Sequence, residues 1–326
     1  MAKMTDRPPV SDRPPLAERP RPGMGVVKLR PYQLARFRHD AGLMAYVARR
    51  QSGKSYGLAV DALDWMMESV CDVVFASAAL RLGQENIRKE ADVWRQATLA
   101  LRATAAAAGM SLKTSADDDA GNLLDVDAVA DLFEHQKLET RVWHDRTRCS
   151  RSLVVAPNPE TAVGWSGNVI LDEVGRMPDF QEVFEAMEPI VSSNKGFKIR
   201  FSTTPPPDDA HYSYELLAPP PGMEDALKPD ARGSWYLSRA GILVHRCDAW
   251  DCEAAGVPLY DLQTREPLTP EQHRAAAVDK TAWDRNYGLR FVRGGSAAIS
   301  FSALMHAQAN GRETGTAINI TEELGV

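Results

Sequence analysis

Short apolar runs alternate along this chain with segments in which apolar residues recur every three or four positions. The first pattern is typical of buried strands, and the second is typical of helices packed against a sheet. Strands are predicted over residues 43–48, 72–78, 152–156, 169–171 and 196–204, and helices over 28–40, 57–67, 80–109 and 178–191. Strands that alternate with helices predict an α/β fold with a parallel sheet and helices on both faces.

The pattern after residue 207 is less regular. A helix is predicted near 212–217, strands over 235–238 and 241–245, a helix from Thr269, and a helix that runs into a strand over 283–292. Thr269 and Pro270 mark a helix start, because threonine caps the first turn and proline suits the first helical position. We therefore assign residues 26–207 to the core of the domain, and 208–293 either to a smaller lid or to the remainder of the same domain.

The two ends of the chain differ from its middle in composition. Residues 1–25 carry repeated Arg-Pro pairs, which cannot bury a core, so this arm is expected to be extended or disordered. The sequence leaves three interpretations of this arm open, which are a basic arm for DNA, a docking tail and a solvated leader. Residues 294–326 are mostly small and polar, and we predict that they form a linker.

The composition is that of a globular protein, since 44% of the 326 residues are hydrophobic and 25% are charged. No apolar run approaches the roughly 18 residues that span a membrane. The first residues lack an apolar signal core, so we expect a cytoplasmic protein without a membrane partner. The net charge of −6 does not suggest a nucleic-acid partner, and any surface for one must be local.

The strongest chemical signal lies between the first predicted strand and the helix after it. Ala48 opens the sequence Ala-Arg-Arg-Gln-Ser-Gly-Lys-Ser, a relaxed form of the phosphate-binding P-loop. The amides of such a loop and of the helix N-terminus after it point at one place, where an anion binds. Lys54 is expected to reach the β- and γ-phosphates, and the Ser55 hydroxyl to ligate Mg²⁺. The alternative is an ordinary strand-to-helix turn with an exposed lysine.

A second signal ends the predicted strand over 169–171, where Asp172 and Glu173 lie at the carboxyl end. Ligands of open parallel sheets bind at that edge. Two adjacent carboxylates at a buried strand end are costly unless a cation is held there, and Mg²⁺ is the natural partner. Asp172 is predicted to hold the metal, and Glu173 to polarise the attacking water. The alternative is an exposed acidic pair.

Further polar residues are expected at the same edge of the sheet. Ser202, Thr203 and Thr204 end the next predicted strand, where they would lie beside the acidic pair or remain solvated. Nearer the start of the chain, the Gln33 amide offers a donor and an acceptor that suit the N6 and N7 edge of adenine. The alternative for Gln33 is a solvated side chain.

Three further clusters favour a structural interpretation. The acidic residues of 111–127 and the basic and aromatic residues of 137–148 are predicted to be solvated. His245, Cys247 and Cys252 lie close in sequence but lack the paired spacing that is typical of a zinc site. The chain has four cysteines, which are too few and too scattered for a disulfide framework.

Taken in order, Gln33, the P-loop, the acidic pair and the Thr-Thr strand resemble the large terminase subunit of tailed bacteriophages. The resemblance covers about residues 28–300, and its most specific pieces are Arg-Arg-Gln-Ser-Gly-Lys-Ser, Gly-Asn-Val-Ile-Leu-Asp-Glu and Phe-Ser-Thr-Thr-Pro. That protein is the ATPase motor that packages viral DNA. The resemblance implies a P-loop NTPase fold of the ASCE type, with a parallel β-sheet flanked by helices and a small lid subdomain.

The resemblance also implies roles for individual residues. Gln33 would read adenine, Arg49 or Arg50 would sense the γ-phosphate, and Thr203 and Thr204 would couple hydrolysis to movement. ATP and Mg²⁺ are the implied cofactors. The residues implied to bind nucleotide are Gln33, Arg49, Arg50, Gln51, Ser52, Gly53, Lys54 and Ser55, the metal ligands are Ser55 and Asp172, and the catalytic residues are Glu173, Lys54, Arg50, Thr203 and Thr204.

This sequence departs from the pattern of the family in two features. Many relatives carry an arginine just before the glycine that is Gly164 here, but this chain has Val163. The arginine that acts across the subunit interface is therefore unassigned, with Arg146, Arg148, Arg151 and Arg176 as candidates. The family also has a C-terminal nuclease domain of RNase H-like fold. We find no acidic cluster on apolar strands after Phe201, so DNA cleavage is not expected from this chain.

We therefore expect an ATPase that couples hydrolysis to translocation of double-stranded DNA into a procapsid. The resemblance implies a portal protein and a small terminase subunit as partners, a homo-oligomeric ring, and a location in the host cytoplasm and transiently on the procapsid portal. One alternative is a helicase-like translocase of cellular origin, which would need a second motor domain. Another is an adaptor that binds nucleotide without turnover, and an intact Glu173 argues against it.

Overall fold

The computed structural model describes residues 27–107, 132–162 and 164–292, together with the isolated positions 307 and 311. The strands are β1 (Leu43–Ala48), β2 (Asp72–Ser77), β3 (Phe133–His135), β4 (Glu139–Trp143), β5 (Cys149–Val155), β6 (Asn168–Asp172), β7 (Ile199–Thr203), β8 (Ser234–Leu237), β9 (Leu243–Cys247), β10 (Leu259–Tyr260) and β11 (Pro267–Leu268). The first nine form one sheet in the order β3-β4-β5-β2-β6-β7-β1-β9-β8, and the last two form a separate hairpin.

Helices connect most of these strands. They are α1 (Pro31–Phe37), α2 (Lys54–Glu68), α3 (Leu80–Ala107), α4 (Pro159–Ala162), α5 (Phe180–Ser192), α6 (Tyr212–Leu217), α7 (Met223–Ala226), α8 (Ala249–Ala254), α9 (Pro270–Ala276) and α10 (Lys280–Asn286), with a 3₁₀ turn at Val174–Arg176. None of the helices within the described ranges is both long and apolar enough to cross a membrane.

The centre of the sheet is parallel, as the alternation of strands and helices predicts. The six neighbouring strands from β5 to β9 run in one direction. The edges of the sheet differ from the prediction. At one side β3 pairs antiparallel with β4 and β4 with β5, and at the other side β8 pairs antiparallel with β9. The reason is their connections: β4 and β5, like β8 and β9, are joined by short turns, and a short turn can join only antiparallel neighbours.

Apolar layers cover both faces of the sheet. On one face, Leu58 and Leu63 of α2 and Ile87 of α3 pack against the strands. On the other face, Val183 of α5 and Leu217 of α6 do the same. All five of these side chains are buried. The fold is therefore a three-layer α/β arrangement with helices on both faces, as predicted.

The second part of the chain is more closely joined to the sheet than the predicted division at residue 208 implies. Strand β9 pairs with β1 in parallel, from Met44 opposite Leu243 to Ala48 opposite Cys247. Residues 234–247 therefore belong to the central sheet, where the apolar strand β9 completes the burial of β1, and this part of 208–293 is the remainder of the domain. Helix α10 ends at Asn286, and no strand follows through residue 292, in contrast to the predicted helix-to-strand segment.

Helices α8 to α10 and the β10–β11 hairpin share a small apolar centre of Ala249, Leu259 and Trp283. This unit follows directly on β9. Some predictions fall on parts of the chain that lie outside the described residues. These parts are the arm at 1–25, the acidic segment 111–127, Val163, and the linker at 294–326 apart from positions 307 and 311.

Candidate nucleotide-binding site

Three strands bring the predicted site residues to one edge of the sheet. In the parallel ladder, Val47 of β1 lies opposite Thr203 of β7, and Asp172 of β6 lies opposite Ser202. The loop after β1, the acidic pair after β6 and the hydroxyls of β7 therefore meet at the carboxyl edge, where ligands of open parallel sheets bind. The predicted position of the hydroxyls beside the acidic pair is confirmed.

The loop between β1 and α2 has the backbone of an anion-binding loop. Gln51 and Gly53 both have positive φ angles, of 60° and 83°, and α2 begins at Lys54 directly after them. A side chain at Gly53 would meet the Gln33 Nε2 atom at 2.7 Å, so this position requires glycine on two counts. The turn directs the first amides of α2 toward the open edge of the sheet, where a phosphate can bind.

The Lys54 ammonium lies inside this loop. Its Nζ atom donates to the Ala48 carbonyl at 2.9 Å and lies 3.6 Å from Oε1 of Glu173. Burial lowers the pKa of Lys54, and the carboxylates of Glu173 and Asp172 act against that shift. The side chain is thus a buried cation beside two acids, at the place where a phosphate of a bound nucleotide would lie.

Ser55 and Asp172 are in direct contact. The Ser55 hydroxyl donates to Oδ2 of Asp172 at 3.0 Å, and the Glu173 amide donates to the other carboxylate oxygen, also at 3.0 Å. Burial raises the pKa of Asp172, and the neighbouring Glu173 carboxylate raises it further. A hydroxyl and a buried carboxylate are hard oxygen ligands, and a cation between them would relieve the cost of burying two acids. The residues therefore fit Mg²⁺.

Glu173 occupies an uncommon backbone conformation. Its φ angle is 57°, in the left-handed region, and its side chain is 24% exposed, which turns the carboxylate toward the open edge. The Gly175 amide, two residues later, donates to the Thr203 hydroxyl at 2.8 Å, and that hydroxyl donates to the Thr204 carbonyl at 2.6 Å. The segment that carries Glu173 is thus tied to the end of β7. The left-handed backbone of Glu173 is strained, and strain of this kind is typical of a functional site.

The Gln33 amide contacts the loop in this structure. Its Nε2 atom donates to the Gly53 carbonyl at 3.1 Å, while Oε1 accepts the Arg30 amide at the start of α1. Tyr32, on the same helix, donates its hydroxyl to the Ser52 carbonyl at 2.8 Å. Helix α1 therefore supports the loop through two side chains. The sequence did not indicate this role for Tyr32, and adenine recognition by Gln33 stays a prediction.

The two arginines of the loop point in different directions. The Arg49 side chain is buried, and its guanidinium donates to the carbonyls of Val257 at 2.9 Å and of Arg50 at 3.2 Å. Arg50 is exposed, and its backbone amide donates to the Asn286 carbonyl at 3.1 Å. These are the two residues expected to sense the γ-phosphate. Arg49 anchors the loop to the segment after α8, whereas Arg50 has an exposed side chain.

The four candidates for an arginine that acts across a subunit interface lie in different places. Arg146 and Arg148 are exposed on the turn that precedes β5, at the amino edge of the sheet, and Arg151 forms an ion pair with Asp72 at 2.6 Å. Arg176 is exposed in the 3₁₀ turn, three residues after Glu173. Arg176 therefore lies at the same edge as the loop, whereas the other three do not.

Comparisons with known proteins agree with this architecture. No protein-family model matches the sequence, and no curated protein matches it. Among solved structures, the chain is similar to the large terminase ATPase domain of Thermus phage P74-26, with a TM-score of 0.51 and 17% identity, over 81% of this chain and 100% of that one. An arginine-to-alanine variant of that domain gives a TM-score of 0.51 and 17% identity, over 80% of this chain and 93% of that one.

The large terminase of bacteriophage HK97 is a further match, with a TM-score of 0.49 and 13% identity, over 82% of this chain and 51% of that one. The similarity to the P74-26 domain shows that this chain shares the fold of that domain, which confirms the predicted α/β class of a parallel sheet flanked by helices.

Proposed function

We propose that this chain is the ATPase motor of a viral DNA-packaging terminase, which couples ATP hydrolysis to the movement of double-stranded DNA into a procapsid. The observation that carries the proposal is the contact between the loop and the acidic pair. Ser55 bonds to Asp172 at 3.0 Å, and Lys54 lies 3.6 Å from Glu173. A phosphate-binding lysine, a hydroxyl, a metal carboxylate and a general base then converge at one edge of the sheet.

Each side chain has a distinct task in this proposal. Lys54 binds the β- and γ-phosphates in place of its present acidic neighbour. Ser55 and Asp172 would hold Mg²⁺, which supplies neutralisation of phosphate charge when it is bound. Glu173, whose carboxylate is turned toward the open edge, orients the attacking water and accepts its proton. Thr203 links β7 to the segment of Glu173, so a change at the acidic pair is transmitted to β7.

The partners of the motor are part of the same proposal. We propose double-stranded DNA as the substrate that moves, a portal protein and a small terminase subunit as partners, and a homo-oligomeric ring in the host cytoplasm and on the procapsid portal. The fold shared with the P74-26 terminase ATPase domain supports this choice over a cellular helicase-like translocase. An adaptor without turnover is less well supported, because Glu173 and Asp172 are both in place.

The test is steady-state phosphate release by the purified chain with ATP and Mg²⁺, with and without linear double-stranded DNA. We expect Mg²⁺-dependent turnover that DNA stimulates, and loss of turnover in Lys54→Ala. Lys195→Ala is the matched control, because Lys195 is an exposed lysine in the loop before β7. DNA binding should be insensitive to sequence and should weaken steeply with salt, since phosphate contacts dominate such binding. Turnover that is absent with ATP, Mg²⁺ and DNA present would overturn the proposal.

A further inference from the structure

Two cysteine thiols are in contact directly beneath the nucleotide-binding loop. Cys247 ends β9 and Cys252 lies in α8, five positions later. Their Sγ atoms are 3.5 Å apart, and both side chains are fully buried. The two thiols are free, so the structure shows a reduced pair at van der Waals contact.

The thiol pair is joined to the loop by direct contacts. Both cysteines belong to one buried cluster with Tyr32 and with Ala48, the last residue of β1. The Arg49 amide donates to the Cys247 carbonyl at 2.9 Å, and the Val257 amide donates to the Cys252 carbonyl at 2.8 Å. The guanidinium of Arg49 donates in turn to the Val257 carbonyl at 2.9 Å. A displacement of either sulfur therefore reaches the residue that begins the loop.

The two thiols differ in chemical character. The hydrogen bond from Cys247 lowers the pKa of Cys252, and the positive charge of Arg49 lowers it further. Burial raises the pKa of Cys247 well above its usual range. Thiolates are the nucleophiles in thiol chemistry. Cys252 is therefore the attacking thiol of the pair, and Cys247 is the thiol that resolves the intermediate.

We propose that Cys247 and Cys252 form a reversible disulfide that lowers nucleotide binding by the adjacent loop. The effect on ATP turnover rests on the proposed function, whereas the formation of the disulfide does not. The oxidant in this proposal is hydrogen peroxide, which is little larger than a water molecule.

Hydrogen peroxide oxidises the thiol pair in two steps. The Cys252 thiolate attacks one oxygen of hydrogen peroxide, an S–O bond forms, the O–O bond breaks, and hydroxide leaves and takes up a proton to become water. Sulfur of Cys247 then attacks the sulfenic sulfur of Cys252, the S–S bond forms, and the S–O bond breaks with loss of water. Two thiols thus lose two electrons and two protons, and one peroxide becomes two waters.

Formation of the bond acts on the loop through α8. The sulfurs move from 3.5 Å to a bond length of about 2.05 Å, which draws α8 toward the end of β9. Because Arg49 is held by the segment after α8, this movement acts on the loop, and we expect nucleotide affinity to fall roughly tenfold, within the usual range of coupling between sites.

The experiment treats the full chain with hydrogen peroxide, blocks the remaining thiols with an alkylating reagent, and identifies the peptides by mass spectrometry. Binding of a fluorescent ATP analogue is measured on the same samples, before and after dithiothreitol. We expect a Cys247–Cys252 disulfide, roughly tenfold weaker binding, and recovery on reduction. Cys247→Ser and Cys252→Ser should each abolish the peroxide effect, so the test survives if one variant fails to fold.

Cys149→Ser is the matched control, because Cys149 is a half-buried thiol in β5, and this variant should respond like the unchanged protein. The proposal is overturned if peroxide leaves Cys247 and Cys252 unlinked, or if the disulfide forms while nucleotide binding stays the same. If the disulfide forms but the reduced protein binds no nucleotide, the proposed function and the control of the loop are both refuted. The disulfide itself is then still established.

Discussion

The Ser55 hydroxyl donates to the Asp172 carboxylate at 3.0 Å, across 117 residues of sequence. This bond joins the first turn of α2 to the end of β6, so the loop before α2 and the acidic pair are held in one arrangement.

Glu173→Gln should retain ATP binding and reduce turnover by on the order of 10²–10⁴-fold, because the amide cannot accept a proton from the attacking water. Turnover is measured by phosphate release and affinity by a fluorescent nucleotide. Glu188→Gln is the matched control, since Glu188 is an exposed glutamate on α5. Near-normal turnover in Glu173→Gln would remove Glu173 from the role of general base.

Ser55→Ala should raise the Mg²⁺ concentration needed for half-maximal turnover roughly 10-fold or more, because it removes one oxygen ligand and the bond that orients Asp172. The measurement is a Mg²⁺ titration at saturating ATP. Ser69→Ala serves as the control, because Ser69 is exposed at the other end of the same helix. An unchanged Mg²⁺ dependence would show that the hydroxyl is not a metal ligand.

Arg49→Ala and Arg50→Ala should separate stability from catalysis. Loss of the Arg49 guanidinium removes its bonds to Val257 and Arg50, so the free energy of unfolding should fall by about 3 kcal/mol. Arg50 is exposed, and its replacement should change stability by less than about 0.5 kcal/mol while it lowers turnover. Urea unfolding and phosphate release test the pair. Equal stability of the two variants would contradict the anchoring role of Arg49.

Glu90 on α3 should make stability depend on pH. This buried carboxyl accepts bonds from Asn86, Thr140 and Ser152, and burial raises its pKa from 4.5 to about 7. Between these values the folded chain binds more protons than the unfolded chain, so stability is present below pH 4.5 and is lost as the pH rises to 7.

Glu90→Gln should remove this dependence. At pH 8 the variant should be more stable than the unchanged protein by up to about 3 kcal/mol, and near pH 4.5 the two should differ little. Urea unfolding at several pH values measures the difference directly, because contributions of other groups cancel between the two proteins. Parallel stability curves over pH 4.5–8 would refute the assignment to Glu90.

In the homo-oligomeric ring that we propose, Arg176→Ala should lower ATP turnover roughly 10³-fold and spare nucleotide affinity, as loss of an arginine finger does. Arg176 is chosen because it is exposed at the same edge as the loop. Arg146→Ala is the control, since Arg146 is exposed at the opposite edge. If Arg176→Ala remains active and Arg146→Ala, Arg148→Ala or Arg151→Ala does not, the assignment moves to that residue.

The sequence alone determined the central elements of the fold and the types of residue at their ends. The apolar run before Arg49 and the helical spacing after Lys54 are local patterns, so they predicted β1 and α2 at their observed places. The acidic pair at the end of β6 was predicted in the same way, from three aliphatic residues followed by Asp172 and Glu173. Such signals depend only on neighbouring residues, and they survive folding because buried strands and amphipathic helices have fixed periods.

The tertiary structure decided which elements are neighbours and where the side chains point. Strand β9 joins β1, although its pattern alone left open whether it belongs to a lid or to the remainder of the domain, because an apolar strand does not encode the strand it pairs with. Arg49 and Arg50 are identical in type and adjacent in sequence, yet one is buried against Val257 and the other is exposed. The contact between Cys247 and Cys252 likewise depends on how α8 packs at the end of β9. These features arise from contacts between elements, which the local pattern of residues does not specify.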